Sequence, residues 1–205
     1  MSSPLRALFL CAILAIAANA FAAPTIINFD FGAVRIACPN GYAYGGPVLS
    51  CPYTGPSQNF DADPGFGWFL GQASALDSSG GAGLTGPGTV FFPPPFTGLP
   101  FNQAVFLQGA ISFIRQAVGG FTAGPYTLSF YLGSRYSYQY DGNQTVEALI
   151  DGQVIGTWPL SSYTPFTLET ASFSITTDGT HTVEFRGINR GDHTAFLSYV
   201  TITPE

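Results

Sequence analysis

The segment RGINRGDHTAF, Arg186 to Phe196, sets a carboxylate beside an imidazole, Asp192 next to His193. Such a pair could move a proton or bind a metal ion. A catalytic imidazole needs a proton partner and an orienting group, and a metal site needs three or more converging ligands. The chain has one other histidine, His181, and no HxH, HExxH or Cys/His spacing. The four residues Asn189-Arg190-Gly191-Asp192 therefore read as a hairpin turn before a last strand. Asp192 is expected to accept from neighbouring backbone N–H groups.

Three other groupings bear on chemistry. DADPG, Asp61 to Gly65, alternates two carboxylates as a calcium loop does. It lacks the further acids and distal Glu of an EF-hand and reads first as a solvated turn. Asp30 is a weaker calcium candidate. GAGLTG, Gly81 to Gly86, matches GxGxxG, but Pro87-Gly88 follows it, so no helix can start there to meet a phosphate. No GxSxG elbow is present. No catalytic residue and no cofactor are assigned, a structural calcium staying open. A fold could still bring two distant acids together for glycoside hydrolysis, and that reading also stays open.

A stripe of tyrosines offers binding rather than bond breaking. In SRYSYQYDGNQT, Tyr136, Tyr138 and Tyr140 alternate, so an extended backbone puts three rings on one face, with Arg135, Ser137 and Gln139 on the other. Sugar rings rest their C–H faces on aromatics while their hydroxyls seek Arg, Asn, Gln and Asp. Asn143 and Gln144 follow directly, and Asn143-Gln144-Thr145 is also a glycosylation sequon. The rings fit a packed edge first and a sugar platform second, because tyrosine is amphipathic enough for either. The candidate ligand surface is Arg135, Tyr136, Tyr138 and Tyr140, with Asn189 and Asp192 as polar contacts.

Strands must position these groups. Beyond the N-terminus no helical period survives, while strand signals recur between turn residues. TIINFDF, Thr25 to Phe31, reads as a first strand. Residues 38–103 are irregular, with only GWFLGQA strand-like, and the prolines of FFPPPFTGLPF bar it from a central strand. From Gln103 the pattern is regular: AVFLQG, ISFIRQAV, PYTLSFYLGSRY, a hairpin at Asp151-Gly152, FTLETASFSI, a second hairpin at Asp178-Gly179, and TAFLSYVTI. Tyr126, Leu128, Phe130 and Leu132 share one face, as do Phe173 and Ile175; Trp68 and Trp158 are expected in the core. The fold class is all-β, an antiparallel β-sandwich.

The N-terminus carries an address. Arg6, then an uncharged run from Ala7 to Ile27 with small residues at alternate positions, reads as a signal peptide cleaved after Ala22, with Ala20 second. Its aliphatic core is shorter than the ~20 residues a bilayer needs. Residues 23–205 then form one domain with long loops in 38–103, secreted to the cell exterior or periplasm, with no later membrane span. That domain has five arginines, no lysine and twelve acids, a net charge of −7, which argues against nucleic acid and anionic membranes as partners. Cys38 and Cys51 would close a disulfide loop of about 14 residues, worth about 3 kcal/mol in the chain-entropy model. Two thiols with no His nearby make a poor zinc site.

From Ala104 to Thr203 the chain resembles secreted bacterial β-sandwich domains of galactose-binding-like jelly-roll type, found in exosortase-sorted and large surface proteins. FTAGPYTLSF, HTVEFRGIN and GDHTAF are most alike, and the Gly-Trp of GWFLGQA fits the usual place of such a pair. The resemblance implies an exported, non-catalytic module recognising a glycan or cell-surface polymer, with a structural or adhesive role as the alternative. It also implies a calcium between the chain ends, held by an Asp of the last strand. Here Ser198 and Tyr199 replace the usual Asp-Asn, which puts the ion in doubt, and a sorting tail after Glu205 is not expected.

Overall fold

A computed structural model describes residues 23–33, 42–44, 65–71, 81–89, 93–110, 112–136 and 143–205. Eleven strands run in chain order: β1 (Tyr42–Tyr44), β2 (Phe69–Gly71), β3 (Gly81–Thr85), β4 (Ala104–Gln108), β5 (Phe113–Phe121), β6 (Gly124–Ser134), β7 (Thr145–Ile150), β8 (Gln153–Pro159), β9 (Thr167–Ile175), β10 (Gly179–Gly187) and β11 (Thr194–Pro204). They form two antiparallel sheets, of order β1-β3-β4-β11-β6-β9 and β2-β5-β10-β7-β8. The β-sandwich expected from the sequence is the observed architecture. Among the described residues no helix is long and apolar enough to cross a membrane.

Period two builds the core. Tyr126, Leu128, Phe130 and Leu132 of β6 and Phe173 and Ile175 of β9 turn inward against Ile114 and Val118 of β5 and Val183 and Phe185 of β10. Phe130 meets Phe185 and Trp158 edge-on, with centroids at 4.8 and 4.9 Å. Each large side chain so buried contributes roughly 1.5–3 kcal/mol. Trp68 is enclosed; Trp158 is half-buried at the rim of the same cluster.

The six-stranded sheet is covered on its outer face too. Val105, Leu107, Ala195 and Leu197 point into the inter-sheet core, so Phe106 and Phe196 between them point outward. Phe96 and Phe101 from the proline-rich stretch pack over them with Phe166, at centroid separations of 5.1 to 5.4 Å. Its described residues are kept out of the ladder, as expected, and serve as a lid. GAGLTG, by contrast, supplies β3, paired on both sides.

Three expectations are corrected. Thr25–Phe31 is not a strand: Asn28 and Phe31 adopt φ of 51° and 57°, and residues 27–30 form a turn. Gln116 of β5 replaces the missing ladder, its side-chain amide accepting from Ile27 N at 2.8 Å and donating to Ile27 O at 2.9 Å. Asp178-Gly179 is not a hairpin, because β9 pairs with β6 and β10 with β5 and β7. It is a crossing between sheets, pinned where Ala123 N donates to Asp178 Oδ1 at 2.8 Å. Residues 189–192 likewise connect β10 to β11 across sheets. The Asp151-Gly152 turn is as expected, with φ of 50° and 80°.

Candidate functional site

One end of the sandwich gathers the connections β4–β5, β6–β7, β8–β9 and β10–β11. Gln144 binds three of them together and is fully buried. Its Oε1 accepts from the backbone N–H groups of Thr145, Ile188 and Asn189 at 3.0, 3.1 and 2.8 Å. Its Nε2 donates to His193 O at 3.0 Å and Gly109 O at 3.3 Å. An amide suits this place because it offers donor and acceptor together. Gly187 leaves room for it: a Cβ there would lie 2.9 Å from Gln144 Nε2. Gln144 is therefore a structural bolt and does not contribute to a sugar platform.

On this frame Arg135 and Asp192 meet. Arg135 Nη1 donates to Asp192 Oδ1 at 2.7 Å, with the guanidinium side chain 4% exposed and the carboxylate side chain 40% exposed. Gln108 donates to the same oxygen. Among the described residues nothing donates to Asp192 Oδ2. Arg135, expected to contact a ligand, has its side chain buried and pairs with Asp192. Asp192 is held by side chains of β4 and of the segment after β6, not by the backbone of its own turn.

Tyr136 follows Arg135, is half exposed, and meets the ring of Tyr163 edge-on at 5.0 Å. Asn189 Nδ2 donates to Asn143 O at 2.6 Å, and Asn143 Oδ1 accepts from Ser162 N at 2.9 Å. The structure thus collects Tyr136, Asn189 and Asp192 on one rim. Tyr138 and Tyr140 lie outside the described residues, as do Cys38 and Cys51, the DADPG acids Asp61 and Asp63, and the signal-peptide segment 1–22. Sequence reasoning missed Gln108 and Tyr163; a polar residue ending the apolar run AVFLQ was the available signal for Gln108.

His181 is at the other end of β10, roughly six strand residues or 20 Å from the Asp192 turn. Its Nδ1 is 2.6 Å from Asp151 Oδ2 and its Nε2 is 2.9 Å from Thr177 O. The Asp151 hydrogen bond raises the imidazole above its usual range, against the opposing effect of burial; the Thr177 carbonyl and the carboxylate charge add to the rise. Burial alone would raise the Asp151 carboxyl, but bonds from His181 and Thr182 N–H bring it below its usual value. The two histidines therefore do not converge. Among the described residues no three His, Cys, Asp or Glu side chains cluster as a metal site.

No family model matches the chain, and no curated protein matches it significantly. Solved structures do. A cyclase from Fischerella sp. TAU is similar over 90% of this chain and 97% of its own, at 15% identity and TM-score 0.57. A carbohydrate-binding module, CBM36, in complex with calcium and xylotriose is similar over 66% and 92%, at 14% identity and TM-score 0.43. The CBM6 module of Cellvibrio mixtus lichenase 5A, in complex with cellotriose, covers 67% and 96%, at 14% identity and TM-score 0.41. At such identities a shared fold does not transfer an activity.

Proposed function

We propose that this chain is an exported, non-catalytic jelly-roll module that recognises a glycan or cell-surface polymer at the rim carrying Tyr136, Asn189 and Asp192. The observation behind this reading is the state of Asp192. One carboxylate oxygen is anchored by a buried guanidinium and by Gln108, while the side chain stays 40% exposed at the end of the sandwich where Tyr136, next to Arg135 in the chain, is half exposed. A pre-oriented acceptor next to an aromatic face suits a sugar, whose hydroxyls donate and whose C–H face stacks. The alternating Tyr136, Tyr138 and Tyr140 would extend that face. The signal-like N-terminus supports export, and the resemblance to surface-protein domains supports a cell-surface setting.

The reading is tested with the purified exported chain on a glycan array and on insoluble polysaccharides. Binding should be lost in Tyr136→Ala and weakened in Tyr138→Ala, both with unchanged thermal unfolding. Binding to no glycan would favour a structural or adhesive role. Release of new reducing ends from a bound oligosaccharide would make the protein an enzyme and overturn the non-catalytic part.

A further inference from the structure

Where the N-terminal segment meets β11, three main-chain carbonyls turn towards shared donors. Ser198 Oγ lies 2.8 Å from Gln103 O and 3.4 Å from Asp30 O, and Gln103 Nε2 donates to Phe31 O at 2.5 Å. Gln103 and Ser198 are both buried. A bulge between Ser198 and Thr201 interrupts the β6 ladder at this point, and Val200 N donates instead to Phe29 O at 2.8 Å. Carbonyl oxygens gathered between two chain segments are the surroundings a hard cation selects. The groups between them here are a hydroxyl and an amide N–H.

We propose that this junction is a metal-free clasp with the oxygen arrangement of a hard-cation site, in which Gln103 and Ser198 supply neutral donors in place of an ion. The donor set does not fit calcium. The Gln103 NH2 group faces the Phe31 carbonyl, and flipping it would set oxygen against oxygen. None of these partners is a side-chain carboxylate, and calcium sites draw their affinity from charged ligands. The Asp30 carboxylate accepts from Gly32 N at 3.0 Å and, with Gln103, Pro87, Pro100 and Asn102, lines a cavity beside the junction; it is not among the partners of Gln103 Nε2 or Ser198 Oγ. In place of the calcium implied by the family resemblance, a single hydroxyl bridges Gln103 O and Asp30 O. This inference is independent of the proposed ligand surface.

Thermal unfolding of the full exported chain in millimolar calcium and in EDTA tests it. The wild-type midpoint should be the same in both, and Ser198→Ala should lower it equally in both. The double variant Gln103→Glu, Ser198→Asp should be destabilised in EDTA and recover in calcium, a difference of roughly 5–10 °C at saturating ion. A wild-type midpoint that falls in EDTA, with the fall abolished by Ser198→Ala, overturns the clasp as metal-free. A calcium response that Ser198→Ala retains overturns it as well, because the main-chain oxygens remain in that variant. A double variant that folds but ignores calcium overturns the claim of cation-site geometry; if it does not fold, the wild-type and Ser198→Ala comparison decides.

Discussion

Arg135 and Asp192, 57 residues apart in sequence, join at 2.7 Å with the guanidinium buried and the carboxylate 40% exposed. The inner partner is shut off from solvent, and the outer one is oriented by it.

Removing the carboxylate would take an ion-pair partner from a buried guanidinium. Asp192→Ala should cost about 2–3 kcal/mol, less than the ~3–5 kcal/mol of a fully buried pair because water can reach the vacated side. Urea denaturation measures this, and a change below about 0.5 kcal/mol would mean the pair orders nothing.

Gln144 should matter more than its residue type suggests. Gln144→Ala takes the partner from the N–H groups of Thr145 and Asn189, at about 1–3 kcal/mol for each one left buried and unsatisfied, while Ile188 N, Gly109 O and His193 O keep Thr145 O, Ser112 Oγ and Gly109 N. The variant should lose roughly 3 kcal/mol or more by denaturant unfolding. Gln144→Glu should also destabilise, since it turns a donor to His193 O and Gly109 O into an acceptor.

Tyr199 adopts φ of 56° at the β11 bulge while packing edge-on against Phe29 at 5.0 Å. A left-handed backbone costs a tyrosine about 1–2 kcal/mol, while asparagine tolerates it. Tyr199→Asn and Tyr199→Ala lose the same ring contact, so Tyr199→Asn should be the more stable by roughly 1 kcal/mol. Equal unfolding midpoints would argue against strain at the bulge.

The His181–Asp151 pair ties the β7–β8 turn to the β9–β10 crossing, with His181 edge-on to Phe121 at 5.3 Å. The raised imidazole stabilises the fold fully below its unfolded pKa of about 6.5, and this is lost as pH rises through the higher folded value. The lowered Asp151 carboxyl stabilises above its unfolded value of about 3.9, and this is lost as pH falls through the folded one. The pair is strongest between these limits. His181→Gln should flatten the fall in melting temperature on the alkaline side; an unchanged profile would assign that fall to other groups.

Much of this molecule was legible without coordinates, because some rules act within a few residues. Alternation in Tyr126–Leu132 and Ala171–Ile175 marks an inward face whatever the strand pairs with. Asp151-Gly152 demands a tight turn through its own φ angles. Pairing was not legible: both sheets offer the same kind of inward face, so β9 and β10 read as a hairpin although they lie in different sheets. The N-terminal segment lost its strand to a side chain 89 residues away, Gln116. Polar residue types suggested that Arg135 and Gln144 faced solvent. Only the convergence of separate connections at one end of the sandwich could bury them, because the partners that satisfy a buried amide or guanidinium are supplied by the tertiary fold and not by sequence neighbours.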